Sequence, residues 1–177
     1  EINTGEEAHL ILWETATGQP VRFFRGHTTV VGAVAISTDG RRILSGGLMG
    51  DMILWDVETG AILQRFGENS TDWRKLPSDL IFSPDGRTAL TLAMDGMVTV
   101  WDMEAFKAVY HLGKPYPQEN WSWGQIALSP DGRMVSAPLV EGGLGLWDTE
   151  TGVMVNKLPG AGNPAAFSPN GHGVLSG

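Results

Sequence analysis

The side chains able to do chemistry in this chain are few, and most of them recur. Asp39, Asp85 and Asp131 each precede a glycine and stand 46 residues apart. Paired carboxylates can serve general acid–base catalysis, but acids separated by a whole repeat are the ones that tight turns favour. The four histidines, His9, His27, His111 and His172, occupy four different places in the pattern and form no ligand set. His27 reads as structural, His9 and His111 as residues in or beside strands. Asp51 or Glu141 could begin a calcium site, which would need several more oxygen ligands than their neighbours supply. Gly142-Gly143-Leu144-Gly145 looks like a phosphate loop, but that mechanism needs a helix N-terminus behind it, and here a strand pattern follows. Gly-x-x-x-x-Gly-Lys-Ser/Thr, His-Glu-x-x-His and Gly-x-Ser-x-Gly do not occur. These residues point to a non-enzyme without cofactor or metal.

Aromatic side chains carry a sharper signal. Trp73, Tyr116, Trp121 and Trp123 stand outside the regular tryptophan series and fall in segments of variable length. Tryptophan and tyrosine bury large area with few rotatable bonds, which suits them to anchor a partner. The competing reading is that they pack over the ends of the sheets. Arg74 and Lys75, beside Trp73, offer a pairing site for an acidic partner or are simply solvated.

The elements that must position these residues follow from a second recurrence. Trp13-Glu14, Trp55-Asp56, Trp101-Asp102 and Trp147-Asp148 lie at intervals of 42, 46 and 46 residues. Between them run short alternating apolar segments separated by Asp-Gly, Gly-rich and Thr-Gly turns, a strand-and-turn pattern repeated as one sheet unit. In the first full unit strands are expected at about 30–37, 41–46, 52–56 and 61–66. From Ile36, Phe82, Leu128 and Phe167 to Ser45, Thr91, Ala137 and Ser176 the count is always nine, and from Ser45, Thr91 and Ala137 to the next tryptophan always ten. Register tolerates no slip, because one residue turns a buried face outward. The links beyond each tryptophan vary instead, at 23, 27, 27 and 20 residues. Successive turns of a meander alternate ends, so Asp-Gly and Thr-Gly turns should share one face. The Gly-rich turns and variable links should share the other, where binding on a fixed scaffold usually resides.

These residues resemble the WD-repeat β-propeller family. The four tryptophan–acid pairs, the turns STDGR, SPDGR, SPDGR and SPNG, and the Gly26-His27 dipeptide carry the resemblance. It implies an all-β fold of four-stranded antiparallel blades around an axis, acting as a scaffold that holds other proteins. It further implies a buried network of His, Ser or Thr, Asp and Trp. The first unit supplies His27, Ser45 and Trp55, with Met49 at the acid's place and Asp51 two residues late. The second supplies Thr91, Asp95 and Trp101, with Trp73 where the His belongs. The third keeps Trp147, with Glu141 at the acid position but Ala137 and Glu119 elsewhere. No unit is therefore expected to hold the whole network, leaving the blades more dependent on apolar packing.

Taken along the chain, residues 1–177 divide into a half blade at 1–24, blades at about 26–66, 72–112 and 119–158, and a half blade at 164–177. Propellers of this family commonly have about seven blades of roughly 40–45 residues, so a slice of a larger ring is expected. The alternative is that the half blades meet, within one chain or between copies as an oligomer.

Composition narrows the partners. A net charge of −8 without basic runs argues against nucleic acid, and no apolar segment approaches the roughly 20 residues that span a bilayer. The absence of cysteine excludes disulfides without naming a compartment; the cytoplasm is slightly favoured. The expected function is protein or peptide docking on the loop-variable face, through Trp73, Tyr116, Trp121 and Trp123 with Leu48, Met49, Met94 and Val140 around them. Two alternatives remain: a sensor region of a larger signalling enzyme, and an enzyme with a central-channel site. The second is disfavoured by the apolar first strands around Val30, Ala33, Ala35, Leu80, Ile81, Ile126 and Ala127.

Overall fold

The computed structural model describes residues 8–67, 70–117 and 124–177. Its alternating runs become five antiparallel sheets. Strands β1 (Ala8–Trp13) and β2 (Pro20–His27) form a two-stranded sheet. The first blade is the meander β3 (Val31–Ile36), β4 (Arg42–Gly47), β5 (Asp51–Asp56) and β6 (Ile62–Gly67). The second is β7 (Pro77–Phe82), β8 (Thr88–Ala93), β9 (Val98–Asp102) and β10 (Lys107–Leu112). The third is β11 (Ala127–Leu128), β12 (Met134–Pro138), β13 (Leu144–Asp148) and β14 (Met154–Leu158). Strands β15 (Ala165–Phe167) and β16 (Val174–Ser176) form another pair. Helix among the described residues is confined to 3₁₀ turns at Leu48–Gly50 and Trp73–Lys75. The all-β blade architecture expected from the repeat is the one observed.

Identical turn chemistry fixes the first hairpin of each unit. Ser37 Oγ donates to Asp39 Oδ1 at 2.5 Å, Ser83 to Asp85 at 2.7 Å, Ser129 to Asp131 at 2.6 Å and Ser168 to Asn170 at 2.7 Å. Each acid or amide oxygen also accepts the backbone N–H two residues on. The glycine in between takes positive φ, 69° at Gly40 and 67° at Gly86, a conformation that costs a side-chain-bearing residue.

The sheets stack face to face, and the tryptophans are the joints. Trp55 is fully buried with Ile43 and Ile53 against Phe24, Leu10 and Leu12 of the β1–β2 sheet. Its ring meets Phe24 edge-on at 5.7 Å. Trp101 packs with Leu80, Phe82 and Met103 against Leu44, Met52 and Leu54 of the first blade. Trp147, with Val135 and Ala137, packs against Leu90, Leu92 and Val100 of the second. Burial of these large rings is the main source of cohesion between blades, at about 25 cal/mol per Å² of apolar surface. Trp13, the first of the series, is 53% exposed because no described sheet covers it.

Asp79, in the innermost strand of the second blade, adds a polar stitch. Its carboxylate accepts Leu80 N at 2.9 Å and, across to the third blade, Ile126 N at 2.8 Å. The strand is not, as its sequence suggests, apolar throughout; the lone acid beside Leu80, Ile81 and Phe82 is the sequence signal for this stitch.

Candidate functional site

Backbone hydrogen bonds show which turns share a face. Val57 N donates to Arg41 O, Met103 N to Arg87 O and Thr149 N to Arg133 O, each at 2.9 Å, tying Asp-Gly turns to the turns beyond the tryptophans. At the opposite end Leu48 N donates to Val30 O, and Asp95 N to Arg74 O, so Gly-rich turns lie against the links between blades. The two-face division read from the meander is the one built.

On the loop face, the 3₁₀ turns Leu48–Gly50 and Trp73–Lys75 lie against each other. Trp73 opens its turn and is 47% exposed. Asp72 caps the turn, accepting Arg74 N and clasping the Arg74 guanidinium at 3.0 and 2.6 Å. Lys75 reaches Asp95 at 3.1 Å. Both cations that were offered to an acidic partner are therefore engaged within the chain. Tyr116 continues the patch: its N–H donates to Asp95 O at 2.6 Å, and its half-buried ring lies over Gly96. Burial also raises the pKa of its hydroxyl.

Of the other sequence candidates, Leu48 is half-buried beside Thr29, whose hydroxyl donates to Leu48 O. Val140 is exposed on the corresponding turn of the third blade. Met94 must be corrected: it is 3% exposed, its N–H bonded to Leu76 O, and it belongs to the core beneath the patch. Met49 lies within the 3₁₀ turn Leu48–Gly50. Trp121, Trp123 and Glu119 lie outside the described residues.

The buried network also differs from the sequence expectation. In the first blade Trp55 Nε1 donates to Ser45 Oγ at 2.8 Å, Ser45 lies 2.6 Å from His27 Nε2, and His27 Nδ1 lies 2.8 Å from Asp51. A carboxylate only accepts, so Nδ1 carries the proton and Nε2 accepts from Ser45. Asp51, not position 49, completes the set, and the expectation that no unit holds four members is overturned. In the second blade Trp101 donates to Thr91 at 3.0 Å, while buried Asp95 accepts Met97 N and pairs with Lys75. Trp73, which aligns with His27, is 47% exposed. In the third blade Glu141 is exposed and paired with Lys157, away from buried Trp147. The Trp147 ring folds over Gly145, where a Cβ would collide with it.

The repeat geometry is matched by an independent comparison. A family model described as "WD domain, G-beta repeat" matches residues 18–56 and 70–102. The chain carries WD repeats in these two segments. Two curated relatives share the WD-repeat chain's sequence locally. "Small ribosomal subunit protein RACK1" of Candida albicans is 35% identical over 71 residues, covering 37% of this chain and 22% of that protein. "MST50-interacting protein 11" of Pyricularia oryzae is 33% identical over 70 residues, with the same coverage. The WD-repeat chain thus aligns with about a fifth of the length of either relative. Among its described residues no group of three or more His, Cys, Asp or Glu side chains could hold a metal, and no helix is long and apolar enough to cross a membrane.

Proposed function

We propose that this WD-repeat chain is a docking scaffold that takes a protein or peptide on its loop face, with Trp73 as the central anchor. Tyr116 and Leu48 flank it and Val140 extends the surface to the third blade, while Trp121 and Trp123, outside the described residues, are further anchors proposed from sequence alone. The observation that carries the reading is Trp73 itself: a large ring, nearly half exposed, held on a capped 3₁₀ turn. A rigid aromatic of this kind loses little entropy when a partner covers it. The name of one relative, MST50-interacting protein 11, describes a protein that engages another, which supports the same class of function.

The test compares crosslinked capture of partners by the wild-type protein, Trp73→Ala, and Arg87→Ala on the opposite face. Loss of a discrete partner by about 30-fold with Trp73→Ala alone, at unchanged melting temperature, is the expected result. Capture insensitive to Trp73, or lost in step with stability, would overturn the reading.

A further inference from the structure

The second blade lacks the imidazole that the first blade holds, and a space is left beside the groups that would have met it. An offset of 46 residues carries Ser45 onto Thr91, Asp51 onto Met97 and Trp55 onto Trp101. All three second-blade residues line a cavity of about 100 Å³, walled also by Met52 of the first blade and by Lys75 and Thr99. A site of about 150 Å³ accommodates benzene, so this one has room for a five-membered ring.

Its polar chemistry is incomplete. In the first blade Ser45 accepts the Trp55 N–H and donates its own O–H to His27 Nε2. In the second, Thr91 accepts the Trp101 N–H at 3.0 Å, but its own proton has no acceptor among the described residues. Thr91 is only 5% exposed, and a buried donor left unmatched costs free energy that a ligand can recover. The rest of the wall is the Trp101 indole, the Met52 and Met97 thioethers, Gly50, Pro77, Ala93 and the His111 imidazole, whose Nδ1 lies 3.0 Å from Thr99 Oγ1, a largely apolar lining for a flat aromatic face. Its one permanent cation, Lys75, is already held by Asp95, and no carboxylate lines the cavity. A protonated ring would find no counter-ion there.

We propose that the second blade holds a binding site for a neutral five-membered aromatic heterocycle of the imidazole class, its acceptor nitrogen accepting a hydrogen bond from the Thr91 hydroxyl. The ring lies between Trp101 and the methionines Met52 and Met97, in the place His27 occupies one blade earlier. The shared chemistry admits a free heterocycle or a histidine side chain presented by a peptide. The site needs no docked partner on Trp73.

The experiment follows the indole N–H resonances of ¹⁵N-labelled protein during titration with imidazole at pH 8, where the ring is largely neutral. The Trp101 signal should move saturably with a roughly millimolar dissociation constant, the range open to so small a ligand, while that of Trp55 stays. At pH 5.5 binding should weaken about 30-fold, because free imidazole, more basic than a histidine side chain, is then almost wholly protonated and faces Lys75 and His111 without a carboxylate. Thr91→Val should abolish the saturable shift. Pyrrole, the same ring without an acceptor nitrogen, should fail on the unaltered protein, a control independent of whether the variant folds. A static Trp101 signal, equal binding of pyrrole, or an undiminished response in folded Thr91→Val would each overturn the site. Once imidazole binds, competition by the tripeptide Gly-His-Gly identifies a side-chain ligand, and its failure to compete identifies a free one.

Discussion

Asp51 lies 2.8 Å from Nδ1 of His27 although it stands two residues beyond the position where the repeat places its acid. The 3₁₀ turn Leu48–Gly50 takes up those residues, and β5 begins at Asp51, from which the carboxylate reaches back over Gly47. A Cβ at Gly47 would press on both the Asp51 carboxylate and the His27 ring. Network and turn are therefore one construction.

Removing the acid should show this directly. Asp51→Ala leaves the buried His27 N–H without its acceptor and should cost about 1–3 kcal/mol in urea denaturation. Gly47→Ala should cost a similar amount by prising the same pair apart. A change below about 0.5 kcal/mol in both would mean the contact contributes nothing to stability.

The repeated hairpin turns make the protein acid-sensitive in a defined way. The Asp39, Asp85 and Asp131 carboxyls are held below the usual range, first by the serine hydroxyl two residues earlier and then by backbone N–H groups. A carboxyl depressed in the folded state stabilises above its ordinary pKa near 3.9, and that contribution fades as pH falls through the folded value. Replacing all three by Asn should flatten the fall of melting temperature between pH 5 and pH 2.5. Asn170 already accepts the same two bonds in the fourth turn, so the turns should persist. An unchanged acid limb would place the sensitivity elsewhere.

Asp79 should act with the opposite sign. Burial raises its carboxyl above the ordinary value, opposed by the backbone bonds from Ile126 and Leu80. A raised carboxyl favours the folded state most when protonated, and the benefit is lost as pH rises from about 3.9 through the folded pKa. Asp79→Asn keeps an acceptor for the backbone but removes the buried charge. It should match or exceed wild-type stability at pH 7, with any advantage shrinking toward pH 4. A marked loss at pH 7 would show that Ile126 and Leu80 need both carboxylate oxygens.

Strands and turns were legible because each is written locally: apolar alternation sets the buried face, and Asp-Gly with a serine two residues ahead closes the hairpin. The constant nine- and ten-residue spacings correspond to one fixed register, in which Ser45 lies opposite Ile53 and Ile43 opposite Trp55. What sequence spacing could not give was side-chain reach across a turn. Asp51 arrives at His27 because a 3₁₀ turn absorbs the offset, and Lys75 reaches Asp95 although Trp73 holds the aligned place. Met94 read as a surface candidate because its turn is on the loop face, but the 72–76 link folds over it. Those outcomes depend on packing between segments that no periodicity records.

Ser136 offers a test of how far polar satisfaction governs these blades. It is 1% exposed on β12 and its hydroxyl has no partner among the described residues. The first and second blades place Leu44 and Leu90 at the equivalent register, both fully buried. An unmatched hydroxyl in such a place is a net cost, so Ser136→Ala should be neutral or stabilising by up to about 1 kcal/mol. Ser45→Ala is the contrasting substitution, since it strands both the Trp55 N–H and His27 Nε2 and should cost about 2–3 kcal/mol. The two serines are equally buried, so burial alone predicts similar losses and hydrogen-bond accounting predicts opposite signs. Equal destabilisation by the two would mean that shape, not polar pairing, sets the cost in this fold.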